Sequence, residues 1–176
     1  LFRSGRESEF VSWAEPALLA GEFALLTLHR AENTDDPIRF RILVEQLNKF
    51  GMPLVFPVHP RTKQALEREG LELAPHVVQI APVGYLEMAA LLGSASLVLT
   101  DSGGLQKEAY WAKTPCVTLR TETEWTETVD SGWNVVIGEE VGELESFVKK
   151  VGDPPEWQPL YGDGNAAERI VASLQS

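Results

Sequence analysis

The stretch SLVLTDSGGLQKEAYWAKTPCVTL, residues 96–119, decides the fold class. An apolar run ends at Thr100, a tight DSGG turn follows, and an amphipathic segment begins near Gly104 and leads into a second apolar run over 115–120. This order is typical of a strand, a turn, a helix and a further strand in an α/β domain. The sequence therefore places the DSGG turn at the carboxyl edge of a predicted parallel sheet.

The same alternation extends outward from this stretch. The apolar runs are nearly continuous, which is typical of strands covered by helices on both faces, whereas a strand with one wet face alternates with period two. The segments between them have helical spacing, and Pro37, preceded by Thr34, Asp35 and Asp36, marks a helix start. We predict an α/β fold with a Rossmann-like, doubly wound parallel sheet of about six strands. The predicted strands lie within 23–29, 53–59, 77–80, 96–100, 115–120 and 134–138. The predicted helices are 37–50, 60–70, 84–93, 104–112, 125–131 and 140–151, and a short helix closes the chain. A helical pattern of Phe10, Trp13, Leu18 and Leu19 precedes the first strand.

Length and charge limit the classes of function. The chain has 176 residues and 19.4 kDa, which fits one domain, 1–176. Its 15 Lys and Arg stand against 26 Asp and Glu, so the formal net charge is −11. Nucleic-acid binding relies on Lys and Arg at phosphates, so we expect no nucleic-acid partner. Any anionic ligand must be held by local backbone dipoles.

The cysteine content and the apolar segments predict a compartment. Cys116 is the single cysteine and lies in an apolar run, so we expect a buried, reduced thiol, no disulfide and no cysteine zinc site. We find no apolar window long enough for a membrane span, and the start LFRSGRESEF lacks the apolar core of a signal peptide. These features favour a cytoplasmic protein without a membrane partner. The chain starts with Leu1 rather than Met, and we expect it to be part of a longer protein.

The DSGG turn is the strongest candidate for a binding site. Gly103 and Gly104 carry no side chain to block a phosphate, and the first amides of the following helix carry a partial positive charge. Ser102 adds a hydroxyl donor, and Glu108 lies one turn along the helix, where a carboxylate can accept from a ribose diol. The alternative is a purely structural glycine turn capped by Asp101, with Glu108 in solvent.

Two further motifs follow predicted strands. His29 and Arg30 of TLHRAEN share the carboxyl edge with the glycine turn, where the histidine is able to donate to a phosphate or exchange a proton. In FPVHPRTKQ, His59 follows a predicted strand, and Arg61 and Lys63 lie near the next helix start; because cations are unfavourable there, this pair suits an anion. For each motif a hydrogen-bonded structural loop is the alternative.

Taken together, the ordered motifs TLHRAEN, PVHP, VGYLEMAALLGSASLVLTDSGGLQKEA, KTPCVTLR and YGDGNAAERI resemble the carboxyl-terminal domain of the non-hydrolysing UDP-N-acetylglucosamine 2-epimerases. The resemblance covers nearly the whole chain and implies one half of a two-domain GT-B fold. It implies that His29 lies at the active site and that Val83 and Met88 lie beside the uracil ring. It further implies that Ser102, Gly103 and Gly104 hold the UDP diphosphate and that Glu108 binds the ribose.

The chain departs from the family pattern at two positions. Met88 stands where an aromatic residue is often found, so we expect weaker stacking on the base. Trp125 of TEWTE stands where many bacterial members have a ligand-binding Arg, which leaves Arg120 as the candidate replacement. The TETEW form is similar to that of epimerases acting on acidic, doubly N-acetylated UDP-sugars.

The resemblance implies inversion at C2 by elimination and re-addition of UDP, with no cofactor and no metal. In the family, the proton-transferring carboxylates lie in an amino-terminal domain that is absent from these 176 residues, so we expect the chain alone to be catalytically incomplete. The resemblance also implies a homodimer for the full-length protein and a regulatory UDP-sugar site, for which His59 and Arg61 are candidates. A GT-B glycosyltransferase half and a non-catalytic nucleotide-sugar-binding module are the alternative functions.

Overall fold

The structure, a computed structural model, describes residues 22–162 and 164–175. The helical pattern predicted for the first 20 residues lies outside this range. The rest of the chain alternates strands with helices, as the sequence predicts. The strands are β1 (Ala24–Thr27), β2 (Leu54–Pro57), β3 (Val77–Ile80), β4 (Leu97–Thr100), β5 (Cys116–Thr118) and β6 (Asn134–Val136).

All six strands pair in parallel in the order β3-β2-β1-β4-β5-β6, so the predicted doubly wound α/β fold is confirmed. The chain moves outward on one side from β1 to β3, crosses back, and continues outward from β4 to β6. The order reverses between β1 and β4, where Thr27 pairs with Thr100. In open α/β sheets, the crevice at the carboxyl ends of such strands is the usual ligand site.

The helices agree with the predicted pattern to within a few residues at most ends. Two differences concern short segments: the predicted helix 140–151 divides into a 3₁₀ turn, Val141–Glu143, and a helix, and one turn of helix, Ala31–Thr34, forms directly after Arg30, where no helix was predicted. Asp36 caps the helix that begins at Pro37 by accepting from the amides of Ile38 and Arg39. The helices are α1 (Ala31–Thr34), α2 (Pro37–Lys49), α3 (Pro60–Glu69), α4 (Tyr85–Ser94), α5 (Gly103–Ala112), α6 (Thr126–Asp130), α7 (Leu144–Val151) and α8 (Ala166–Leu174).

Helices cover both faces of the sheet, which explains the continuous apolar runs. Within β1, Ala24 and Leu26 belong to the core cluster that includes Phe40 of α2, whereas Leu25 belongs to the cluster that includes Leu105 of α5. Successive side chains of a strand point to opposite faces, and here each face meets a helix layer.

Cys116 is buried in the second of these clusters, as expected. Burial raises the pKa of its thiol to about 12, so it remains protonated at neutral pH. Within the described residues, no helix has the length and apolar character required to cross a membrane.

Candidate functional site

A cleft of about 290 Å³ opens at the carboxyl edge of the sheet, at the point where the strand order reverses. This volume is near the lower end for small-molecule sites. The loops after β1, β2, β3 and β4 all contribute, and the cleft brings together seven of the residues singled out in the sequence. Its lining consists of Thr27, Leu28, His29, Pro57, His59, Pro82, Val83, Met88, Ser102, Gly104, Leu105 and Glu108.

The glycine turn opens helix α5 at the floor of this cleft. The Ser102 hydroxyl caps the helix by accepting from the Leu105 amide at 3.4 Å, and the Ser102 amide itself donates to the Thr100 hydroxyl at 2.9 Å. The amides of Gly103 and Gly104 occupy the first two helical positions, which have no intrahelical acceptor. They are therefore suited to an anion in the cleft.

The two glycines differ in their surroundings. A Cβ on Gly104 would meet no atom within 4 Å, and Gly104 lines the cleft. Gly103 is not a lining residue; a Cβ there would lie 3.5 Å from a Glu124 oxygen and 3.6 Å from an Arg30 nitrogen, and its carbonyl accepts from the Trp125 indole at 2.7 Å. Trp125 thus fixes the backbone of the turn.

Val83, Met88 and Glu108 also line the wall of the cleft. Val83 and Met88 are partly buried and pack against the core beneath the cleft. Glu108 is partly exposed, and desolvation by burial raises the pKa of its carboxyl. The wall thus combines an apolar surface for a planar ring with one carboxylate acceptor.

Asp101 is fully buried and faces the β1 loop, and Ser102 caps α5, so the alternative in which Asp101 caps the glycine turn is wrong. Its Oδ2 accepts from the backbone amides of His29 at 2.8 Å and Arg30 at 2.7 Å, and from Asn33 Nδ2 at 3.1 Å. Its Oδ1 lies 3.2 Å from Nδ1 of His29. The carboxylate therefore fixes the His29 loop against the glycine turn.

The second histidine lies in the same cleft. The rings of His29 and His59 are 5.3 Å apart, centroid to centroid, and Nδ1 of His59 accepts from the Arg61 amide at the start of α3. The Arg61 guanidinium forms two 3.0 Å hydrogen bonds with Asp35. His59 thus adds to the main cleft, while Arg61 is held outside its lining.

Arg120 also lies outside the cleft lining. Its guanidinium is buried and donates to both Glu124 oxygens, at 2.8 and 3.1 Å. The hydrogen bond from Arg120 is the main cause that lowers the pKa of Glu124 to about 2, and the charge of Arg30 contributes. Arg120 and Arg30 thus flank one carboxylate beside the glycine turn.

Two buried residues have roles in the site that the sequence did not predict. Asn33 donates to Asp101 and to the Leu119 carbonyl at 2.8 Å and accepts from Arg39 at 2.8 Å, joining the loops after β1, β4 and β5. Asp101 holds the β1 loop instead of capping a helix. The sequence signals for these roles are the HRAEN motif and the position of Asp101 directly after β4. They do not reveal the contacts, because Asn33 is 68 residues from Asp101 and 86 residues from Leu119 in sequence.

Comparison with known proteins identifies the family. The sequence profile described as UDP-N-acetylglucosamine 2-epimerase matches residues 5–175. The chain is 48% identical over 160 residues to the UDP-2,3-diacetamido-2,3-dideoxy-D-glucuronate 2-epimerase of Pseudomonas aeruginosa, covering 86% of this chain and 44% of that protein. It is 40% identical over 162 residues to the UDP-N-acetylglucosamine 2-epimerase of Methanocaldococcus jannaschii, covering 87% and 44%.

The structural similarity agrees with the sequence similarity. The crystal structure of the Methanocaldococcus jannaschii UDP-GlcNAc 2-epimerase in complex with UDP-GlcNAc and UDP matches with a TM-score of 0.79 at 38% identity, over 91% of this chain and 48% of that one. The chain thus spans about half the length of the relatives it matches. Because the match extends over nearly all of its own residues, the chain belongs to the UDP-N-acetylglucosamine 2-epimerase family.

Proposed function

We propose that this chain, as a single domain, is the UDP-binding half of a UDP-sugar 2-epimerase that interconverts UDP-GlcNAc and UDP-ManNAc. It would supply the binding site that holds UDP while C2 is inverted by elimination and re-addition of UDP. The carboxylates that move the C2 proton would lie outside this chain, so the chain alone would bind UDP without turnover. The complete protein would be a cytoplasmic homodimer that needs no cofactor.

One observation carries the proposal: the glycine turn, the apolar wall and His29 line a single cleft at the reversal of the strand order. The amides of Gly103 and Gly104 with the Ser102 hydroxyl suit a diphosphate. Glu108 lies where it would accept from a ribose diol, and Val83 and Met88 would cover the face of uracil. The Methanocaldococcus jannaschii relative was crystallised in complex with UDP-GlcNAc and UDP, which agrees with this ligand.

Within this arrangement, His29 would act at the diphosphate. Its side chain is 36% exposed and shares the cleft with Ser102. A histidine beside a leaving phosphate is able to donate a hydrogen bond or a proton as UDP departs and to take it back on re-addition.

Titration calorimetry with UDP tests the proposal. Wild-type chain should bind UDP, and Gly104→Val should weaken binding about tenfold or more, because the side chain would fill the space needed by a phosphate and displace charge-assisted hydrogen bonds of about 1.5–3 kcal/mol each. Gly93→Val is the matched control: Gly93 is also exposed in a helix with no atom within 4 Å of an added Cβ, but it lies outside the cleft. Equal UDP affinity in all three proteins would refute the site.

A related UDP-N-acetylated uronic acid is the second candidate substrate. The relative at 48% identity is named for such a sugar, and Arg30 and Arg120 flank the Glu124 carboxylate beside the glycine turn. In this second proposal, a substrate carboxylate would replace Glu124 between the two arginines.

The two substrates can be separated in the complete protein by the Arg120→Gln variant. If the substrate is a uronate, the variant should raise the KM for the UDP-uronic acid and leave the KM for UDP-GlcNAc unchanged. An equal change for both sugars would remove Arg120 from the choice of substrate.

A further inference from the structure

We infer that Asp101 is a positioning residue that selects the tautomer of His29, holding the proton on Nδ1 and leaving the Nε2 lone pair for the cleft. The inference rests on the proposed function only for the use made of Nε2. The tautomer itself follows from the contacts of one buried carboxylate.

The two oxygens of Asp101 have different surroundings. Oδ2 is saturated by three donors, the amides of His29 and Arg30 and the side-chain amide of Asn33, at 2.7–3.1 Å. Oδ1 is buried and has no hydrogen-bond partner of good geometry within the described residues, although Nδ1 of His29 lies only 3.2 Å away. An unsatisfied buried carboxylate oxygen is costly, and a small rotation of the imidazole ring would satisfy it.

This requirement fixes which histidine nitrogen carries the proton. Neutral imidazole has one N–H donor and one acceptor nitrogen. If Nδ1 were the acceptor, its lone pair would face the Oδ1 lone pairs across 3.2 Å, and the oxygen would remain unsatisfied. With the proton on Nδ1, the pair forms a hydrogen bond and Nε2 becomes the acceptor, which is the form needed to take up a proton at the cleft.

The same contacts predict the effect of an isosteric change. In Asp101→Asn, the carboxamide oxygen has to occupy the Oδ2 position, because three donors converge there. The NH₂ group then takes the Oδ1 position and donates toward Nδ1 of His29. The variant should therefore invert the tautomer and place the proton on Nε2.

Long-range ¹H–¹⁵N NMR of the histidine rings in the whole 176-residue chain, without ligand and at a pH where the rings are neutral, tests the inference. The chain contains three histidines, His29, His59 and His76, and loss of one set of signals in His29→Gln assigns the ring. We expect the Nδ1–H form in the wild type and the Nε2–H form in Asp101→Asn. Asn33→Ala is the control, since it removes a donor to Oδ2 without changing the groups that face Nδ1, and it should keep the wild-type tautomer.

An Nε2–H form in the wild type, or the same tautomer in Asp101→Asn as in the wild type, would overturn the inference. An inversion in Asn33→Ala as well would reduce Asp101 to a purely structural role. If Asp101→Asn fails to fold, the wild-type tautomer decides alone. UDP binding is measured in a separate experiment. A chain that does not bind UDP would refute the proposed function and leave the tautomer result unchanged.

Discussion

At the scale of single residues, the cleft lining includes a carboxylate whose pKa is raised. Glu108 lines the cleft beside the glycine turn, and burial raises the pKa of its carboxyl. A desolvated carboxylate forms stronger hydrogen bonds than one in bulk water. Glu108 is therefore the side chain most suited to distinguish a ribose from a deoxyribose.

Glu108→Gln should weaken UDP binding by about 1.5–3 kcal/mol if a charged hydrogen bond to ribose is lost. The measurement is UDP calorimetry on the variant and on Glu67→Gln, an exposed glutamate of α3 outside the cleft. The Glu67 variant should bind like the wild type. A deoxyribose UDP analogue should lose affinity for the wild type but not for Glu108→Gln; equal losses would contradict the role.

Glu124 provides a pH test of the Arg120 ion pair. Its carboxyl has a pKa of about 2 in the folded chain against 4.5 for a free side chain, because Arg120 donates to it. A lowered folded-state pKa contributes stability above pH 4.5 that is lost as the pH falls toward 2. The free energy of unfolding in urea should therefore fall more steeply over this window in wild type than in Glu124→Gln. Parallel pH profiles would contradict the pairing.

At the scale of elements, the site depends on how the ends of β1, β4 and β5 are joined. The hydroxyls of Thr27 in β1 and Thr100 in β4 are 2.6 Å apart, and Asn33 links the loops that follow β1, β4 and β5. These bonds are buried, so water cannot replace them. The first turn of α5 is thereby held against the His29 loop.

Asn33→Ala should destabilise the chain by about 2–4 kcal/mol, because it leaves several buried polar groups without partners. Asn48→Ala is the comparison: Asn48 also forms two bonds with the backbone, to Glu72 and Ala74, but near solvent. We expect a loss of about 1 kcal/mol there. Urea unfolding of both variants gives the difference, and equal losses would show that Asn33 does not join the loops.

The sequence predicted the elements better than it predicted the contacts between their ends. Continuous apolar runs identified every strand in the part of the chain that the structure describes, since burial on both faces leaves a pattern in the local sequence. The glycine turn and His29 were found because they directly follow strands. The Asp101–His29 contact, the Trp125–Gly103 bond and the Arg120–Glu124 pair were not, because each depends on the relative placement of loops and on side-chain direction.

At the scale of the whole molecule, the chain and its proposed ligand UDP both carry negative charge. The chain has a formal charge of −11, and the cleft would hold an anion by backbone amides, a helix terminus and few cations. The electrostatic field of the net negative charge therefore opposes binding of UDP, while the backbone dipoles at the start of α5 favour it. Salt screens the long-range field more than short contacts.

UDP affinity should accordingly stay within about threefold between roughly 20 and 200 mM NaCl, because screening weakens the overall repulsion as well as the local attraction. Calorimetry across this range checks the expectation. A progressive loss of UDP affinity with rising salt is expected of a site formed mainly by Lys and Arg. That result would contradict a binding site formed mainly by backbone amides.

The central claim is that the main-chain amides at the start of α5 hold the diphosphate of UDP. NMR titration of the ¹⁵N-labelled chain with UDP and with uridine tests it most directly. We predict that UDP shifts the amide signals of Gly103 and Gly104 strongly, whereas uridine shifts only signals near Val83, Met88 and Glu108. Binding of UDP that leaves both glycine amides unmoved would contradict the account.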